Sequence, residues 1–287
     1  MKYTLTNDTL CVTVNSLGAE IASVVKDGRE YIWQGGEEGL WSEHAPILFP
    51  ICGRLPDGVY SHKGRKYQLG THGFARFKEF KPISVDKNEI SLLLTADAES
   101  MQVFPFDFEL TITYRLDGDR ITQSALIKNK GDEMLYVGYG AHPGFALDGE
   151  LSDHYIDFGQ CGEPLKIGLT KRGLQSGERY PFALEDRQIM RLSDDIIGDA
   201  GIFLAETSLH ATLRSVRSEH GVELSFPDMP YVGFWHDLSP LAKYICIEPW
   251  CSLPSLDRDA ETLEAKSDMF CLPSGECRSA EFSMRFF

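Results

Sequence analysis

The chain has 287 residues, 43% of them hydrophobic, and carries 28 Lys and Arg against 43 Asp and Glu, a formal net charge of −15. Nucleic acid and anionic lipid both select clustered basic side chains, so a chain this acidic argues against either as a partner and against a membrane-surface role. Neutral small molecules remain compatible with it. The length allows two ordinary domains or one large all-β unit. No Pro- or Ser-rich linker, low-complexity tract or internal repeat divides it, so a single domain over 1–287 is expected.

The opening MKYTLTNDTLCVTV alternates polar and apolar residues and reads as strand, with no basic stretch leading into an apolar one. No apolar run approaches the ~18–20 residues of a membrane span. The seven cysteines, at 11, 52, 161, 246, 251, 271 and 277, are odd in number and scattered. They are expected as reduced thiols in a cytoplasmic protein. Cys246 and Cys251 have four residues between them, and Cys271 and Cys277 have five. Only the first spacing fits a zinc knuckle, and core packing is expected for both pairs.

Along the chain the main signal is period-two alternation broken by turn residues. TLCVTV (9–14) and EISLLLTA (89–96) are strands. FELTITYRL, DGD and RITQSALIKN (108–129) form a hairpin, because Asp-Gly favours a tight turn between β-branched runs. DEMLYVGYGAHPGF is expected to continue as one further strand. The region 148–200, richer in Gly, Asp and Arg, reads as long loops, with its best helix over 180–197. LHATLRSV, GVELSFP, YVGFW, KYICIEPW and the tail CRSAEFSMRFF return to alternation. The fold class is all-β: a single large antiparallel β-sandwich with few short helices.

Several polar residues stand out against this background. Arg54 lies in ILFPICGRLPDGVY (47–60), where Pro50 and Pro56 interrupt sheet pairing, and its planar fork of donors suits hydroxyl or carboxylate recognition. His72 in THGFARF and His142 in AHPGFAL each sit beside small residues, with Phe74 offering an apolar wall to the first. The proline after His142 restrains its backbone and so aims its side chain. Glu248 in YICIEPW follows an apolar run and precedes Pro249 and Trp250. A carboxyl there is costly unless paired or functional, and burial would move its pKa towards that of a general base at neutral pH. Trp250 could stack on the apolar face of a sugar or belong to the core.

Two histidines and a glutamate raise the question of metal. No His-x-His, His-x3-His or HExxH spacing occurs, so a metal-free acid/base pair is preferred over a His2Glu site, and no metal is expected. G-x-S-x-G and the glycine patterns of phosphate and dinucleotide loops are absent as well.

LFPICGRLPDGVY, HGFAR, AHPGF and ICIEPW, in this order over residues 47–250, resemble the aldose 1-epimerase (galactose mutarotase) family, in particular its LacX-like branch. The N-terminal VTVNSLGAEIASVVKDGREYIW resembles that family's first strand pair. The resemblance implies a large antiparallel sandwich with a small-molecule sugar in an open cleft, no cofactor, and interconversion of aldohexose anomers through the open-chain aldehyde. It implies Glu248 as general base at the C1 hydroxyl and His142 as general acid at the ring oxygen. It places His72 near the anomeric centre, Arg54 on ring hydroxyls, and Asp199 as a further hydroxyl ligand. Two departures bear on sugar specificity: Gly53-Arg54 replaces an Asn-Arg pair, and His142-Pro143-Gly144-Phe145 replaces HPYF. Two other readings compete. One is a hexose-6-phosphate 1-epimerase, with Arg54, Arg76 or Lys78 meeting the phosphate. The other is a binding or sensing protein without turnover.

Overall fold

The computed structural model describes residues 1–35, 40–258 and 262–287. Three antiparallel sheets carry most of the strands. Lys2–Thr6, Leu10–Asn15, Ile21–Lys26 and Arg29–Glu30 make a four-stranded N-terminal sheet. A nine-stranded sheet runs Ile189–Arg191, His154–Asp157, His210–Ser215, Val222–Ser225, Cys277–Phe286, Arg120–Asn129, Phe108–Asp117, Glu89–Thr95, Lys81–Val85 in space. Its middle strand is the last in the sequence, so the C-terminal segment joins the two halves of the sheet.

The third sheet positions the site. Its order is Gln175–Pro181, Leu165–Leu169, Ile202–Ala205, Tyr231–Trp235, Tyr244–Trp250, Gly140–Ala141, Ile47–Leu48, with Gly144–Ala146 also paired to Tyr244–Trp250. Val12 and Val14 of the N-terminal sheet, Ile112, Ala125 and Phe282 of the nine-stranded sheet, and Ile47, Ile245 and Ile247 of this one share a single apolar cluster. The sheets therefore pack as layers over a common core, the expected sandwich.

The long hairpin forms as its sequence dictates. Phe108–Asp117 pairs with Arg120–Asn129 in unbroken register from Phe108↔Asn129 to Asp117↔Arg120. Gly118 turns the chain at φ +54, a conformation glycine takes without steric cost. Leu110, Ile112, Tyr114 and Leu116 face inward, as alternation requires.

Four expectations need correction. The helix over 180–197 is mostly absent: Tyr180 and Pro181 end a strand, and Asp186 and Arg187 turn the chain at positive φ between Glu185 and its bridge partner Ile189. Only Asp194–Ile197 is helical, capped by the Ser193 side chain. Apolar residues there, such as Met190, are used by the edge of the nine-stranded sheet. The supposed loops of 148–200 likewise hold the strands His154–Asp157, Leu165–Leu169 and Gln175–Pro181.

The strand expected through DEMLYVGYGAHPGF is broken into Leu135–Val137, Gly140–Ala141 and Gly144–Ala146. Glycines let the chain swing against its neighbours: a Cβ on Gly138 would lie 2.2 Å from Ser252 Oγ, and one on Gly140 2.8 Å from the Trp250 ring. The cysteines are all unpaired; Cys52, Cys161, Cys246 and Cys251 are buried. Cys271 and Cys277 are exposed, contrary to the core packing expected of them: Cys271 alternates outward from buried Leu272, and Cys277 begins a strand whose first three residues are all exposed. Among the described residues no helix is long and apolar enough to cross a membrane.

Ile112 is fully buried between Leu92 and Ala125 on its neighbouring strands. Ile112→Ala should lower unfolding stability by about 2–5 kcal/mol, through lost transfer energy and a residual cavity. Urea unfolding measures this. Thr113→Ala, one position on and half-buried on the other face, should cost much less.

Candidate active site

Every residue of Tyr244–Trp250 is buried, and alternation explains why. Ile245 and Ile247 enter the shared core, while Tyr244, Cys246, Glu248 and Trp250 point to the opposite face of the sheet. That face is not solvated either. Trp33, Trp41 and Trp235 cover Tyr244 and Cys246, and Phe203 and Tyr231 pack around Trp250. Glu248 lies between these two aromatic groups at the floor of an open cleft of about 470 Å³. Opposite it on the neighbouring strand is Gly233 (Gly233↔Glu248), whose missing side chain leaves room for the Phe203 ring.

His142 reaches the same floor from the next strand over. Gly140 pairs with Trp250, and two residues on, His142 N–H donates to the Pro46 carbonyl at 3.1 Å. His142 Nε2 lies 3.2 Å from Glu248 Oε1. The two are not aligned as a hydrogen bond, and neither Glu248 Oε1 nor His142 Nδ1 has a protein hydrogen-bond partner. Trp41 lies over the imidazole at 5.2 Å between ring centroids, tilted 36°, and Trp235 meets it edge-on at 5.9 Å. Gly144 makes this possible, since a Cβ there would sit 2.5 Å from the Trp41 ring.

His72 comes from a loop pressed onto Phe49-Pro50. Its own backbone is left-handed at φ +64, and Gly73 follows at φ +70, where a Cβ would lie 2.2 Å from the Phe49 carbonyl oxygen. Gly53 N–H donates to His72 Nδ1 at 3.1 Å. A neutral His72 therefore carries its proton on Nε2 and offers a single ring donor. Its ring lies 5.5 Å from that of His142 and 5.4 Å from Trp250.

Electrostatics follow from burial. Desolvation pushes the Glu248 carboxyl well above the usual carboxylate range and pulls the His142 imidazole down. Desolvation also lowers His72, with the neighbouring His142 adding to it. Burial thus favours the uncharged form of each, and the Glu248–His142 pair then holds one donor and one acceptor side by side.

Of the residues singled out from sequence, Glu248, His142, His72 and Trp250 converge on the cleft, with Arg54 and Asp199 also lining it from exposed positions. Trp250 is wall and core at once, 4.4 Å from the Phe203 ring. Phe74 is not there. Its ring packs against Phe49, Phe104 and Phe108 in the core, because the turn at His72-Gly73 sends the following residue inward. Lys78 is also elsewhere, held by Asp97 and Glu99. Arg76 does line the cleft, paired to Glu43 at 2.8 Å.

Sequence reasoning missed Trp41, Glu43, Lys171, Phe203 and Trp235 as lining residues. Trp235 was within reach, since it ends the strand YVGFW that pairs in register with ICIEPW. Nothing local marks Trp41 or Lys171, which arrive on loops. As for metal, the donors that converge are His142, Cys246 and Glu248, all buried and within 4.8 Å of one another; His72 is not among them.

The chain matches the aldose 1-epimerase family model over residues 1–252 and belongs to that family. It is 32% identical over 281 residues to the chromosomal protein LacX of Lactococcus lactis subsp. lactis, covering 93% of each chain. A galactose mutarotase related enzyme from Lactobacillus acidophilus has a similar structure, with a TM-score of 0.94, 33% identity, and coverage of 100% of this chain and 97% of that one. A galactose mutarotase-like protein from Lactobacillus casei shares the fold at TM-score 0.94 and 24% identity, over all of both chains.

Two substitutions test these placements. Phe74→Leu should leave sugar affinity unchanged while costing about 1 kcal/mol of stability, as for a volume-tolerant core exchange; a changed affinity would return the ring to the cleft. Gly144→Ala should displace Trp41 from His142, visible as altered tryptophan fluorescence with the far-UV circular dichroism intact.

Proposed function

We propose that the protein is an aldose 1-epimerase that interconverts the α and β anomers of an aldohexose, the whole chain 1–287 acting as one domain. The observation that carries this reading is the Glu248–His142 contact of 3.2 Å, buried at the floor of a sugar-sized open cleft. Ring opening requires a proton to leave the C1 hydroxyl and another to reach the ring oxygen. The C1–O5 bond then breaks and C1 becomes an aldehyde. Rotation about C1–C2 presents its other face, and reclosure reverses both transfers.

One acid and one base perform this chemistry if they exchange roles between opening and reclosure. Glu248 and His142 meet that condition because the pair has one dissociable proton that either side chain can carry. With the proton on His142, Glu248 is the carboxylate that deprotonates O1, and His142 protonates O5. The neutral form favoured by burial differs only by moving that proton between the two side chains. His72 Nε2–H supplies a neutral donor beside the anomeric oxygen. Arg54 and Asp199, at the mouth, bind ring hydroxyls, and Trp250 offers a flat surface to the apolar face of the ring. The reading uses no cofactor and has the enzyme acting in the cytoplasm, consistent with seven unpaired cysteines.

One observation favours a phosphorylated hexose as the substrate. Arg54 and Lys171 line the cleft, and among the described residues neither has an ion-pair partner; the Arg54 guanidinium meets only the Arg172 carbonyl, at 3.4 Å. Two unpaired cations in a chain of net charge −15 would suit a phosphate remote from C1. Galactose, glucose and their 6-phosphates, followed by NMR of the anomeric protons, decide between the neutral and phosphorylated substrate.

Freshly dissolved α-D-galactose followed by polarimetry tests the main reading. Wild-type protein should accelerate equilibration, and Glu248→Gln should lower the rate by about 10²–10⁴-fold, the usual contribution of one positioned proton transfer. Sugar binding by the variant, measured calorimetrically, should survive. Binding without acceleration of any of the four sugars by the wild type would make the protein a sugar sensor instead.

A further inference from the structure

Three donor atoms of different chemistry meet under the cleft. Cys246 and Glu248, two residues apart on one strand, project from the same face of the sheet, and His142 joins them from the adjoining segment. The imidazole nitrogen, thiol sulfur and carboxylate oxygen all lie within 4.8 Å of one another. The residues are 8%, 0% and 1% exposed respectively. A proton relay needs only two of them, and the sulfur has no part in it.

The second observation is the state of Glu248 Oε1. It is buried, belongs to the cleft lining, and has no hydrogen-bond donor, although His142 Nε2 is only 3.2 Å away. Two groups at that distance without alignment do not point at each other. Their lone pairs are free to converge on a third position. A buried carboxyl oxygen left unpaired is costly, and a bound cation would satisfy it.

We propose that His142, Cys246 and Glu248 form a binding site for a borderline-soft divalent cation such as Zn²⁺, and that its occupation shuts off the catalytic pair. Mixed sulfur, nitrogen and oxygen donors select zinc and its first-row neighbours over Mg²⁺ and Ca²⁺, which require oxygen ligands. Three protein ligands leave a fourth position, turned towards the cleft, for water or a sugar hydroxyl. Tetrahedral bonds of about 2.0–2.3 Å put ligand atoms roughly 3.5 Å apart, so no separation has to close by more than about 1.3 Å. Binding displaces the thiol proton and the single proton of the Glu248–His142 pair to solvent, and so removes both acid and base. The cation is an inhibitor and not a cofactor. Its binding stands independently of the proposed epimerase activity, whereas the inhibition rests on that reading.

Co²⁺ is the probe, because thiolate ligation gives a sulfur-to-metal charge-transfer band in the near ultraviolet. The full-length protein, kept reduced with a phosphine, is titrated with Co²⁺ and then with Zn²⁺. The expected result is one Co²⁺ per chain with that band, displaced by Zn²⁺ and unaffected by excess Mg²⁺ or Ca²⁺. Cys246→Ser and Cys246→Ala should both lose the band. Each variant should retain metal-free mutarotation and need at least 10-fold more Zn²⁺ for half-inhibition; two variants guard against a folding defect in either. A Co²⁺ complex without the band, or equal Zn²⁺ sensitivity in wild type and both variants, overturns the site. If the band forms normally but wild-type protein accelerates no sugar, the cation site stands and the epimerase reading fails.

Discussion

The arrangement depends on one constraint: a carboxyl group is held almost fully buried at the floor of a cleft, with the shared core behind it and aromatic groups on either side. Ile245 and Ile247 anchor the central strand in the shared core, and the aromatic groups on the other face shield its remaining side chains. Glu248 is thereby desolvated, its ionised form is disfavoured, and 3.2 Å away lies an imidazole likewise deprived of water. Each group alone would be a liability in such a place. Together they are a pair that can be neutral without losing its proton, as the proposed reversible transfer at a hemiacetal carbon requires.

The packing around that pair has few free choices. Trp41 covers His142 only because Gly144 lacks a side chain, and His72 reaches the cleft only because Gly73 lets the loop lie against the Phe49 carbonyl. The two sequence departures from the family pattern sit at these contacts. At Gly53 the backbone takes a positive φ against Pro254, and its N–H holds His72 Nδ1. At Gly144 the space a tyrosine would fill is occupied by an indole. The changes thus alter the wall of the cleft and leave the Glu248–His142 contact in place.

Cleft charge and chain charge have opposite senses in part. The surface is strongly acidic, yet Arg54 and Lys171 face the cleft without ion-pair partners among the described residues, while Arg76 is neutralised by Glu43. In a partly enclosed site, fixed cations of this kind act on a ligand far more than distant surface carboxylates, which solvent and salt screen. Overall acidity therefore argues against polyanionic partners and leaves room for a small anion in the cleft.

The sequence by itself determined the fold class, since alternation with turn residues leaves a strand few other uses, and the 108–129 hairpin is there, although its two-residue turn is Gly118-Asp119 and not Asp117-Gly118. It also marked Glu248 and His142, because a carboxyl after an apolar run and a histidine before proline are locally expensive or restrained. Tertiary structure alone decided which neighbours they meet. Local pattern could not show that Phe74 turns into the core and Trp41 takes the place beside His142, because loop conformation there is set by contacts with Phe49 and Gly144, remote in sequence. Nor could it show that apolar residues in 180–197 serve a sheet edge instead of a helix, where pairing partners override weak local periodicity. The thiol of Cys246 reads as core from sequence, and so it is; only the imidazole that tertiary packing brings to it and to Glu248 on its own strand makes it a candidate donor.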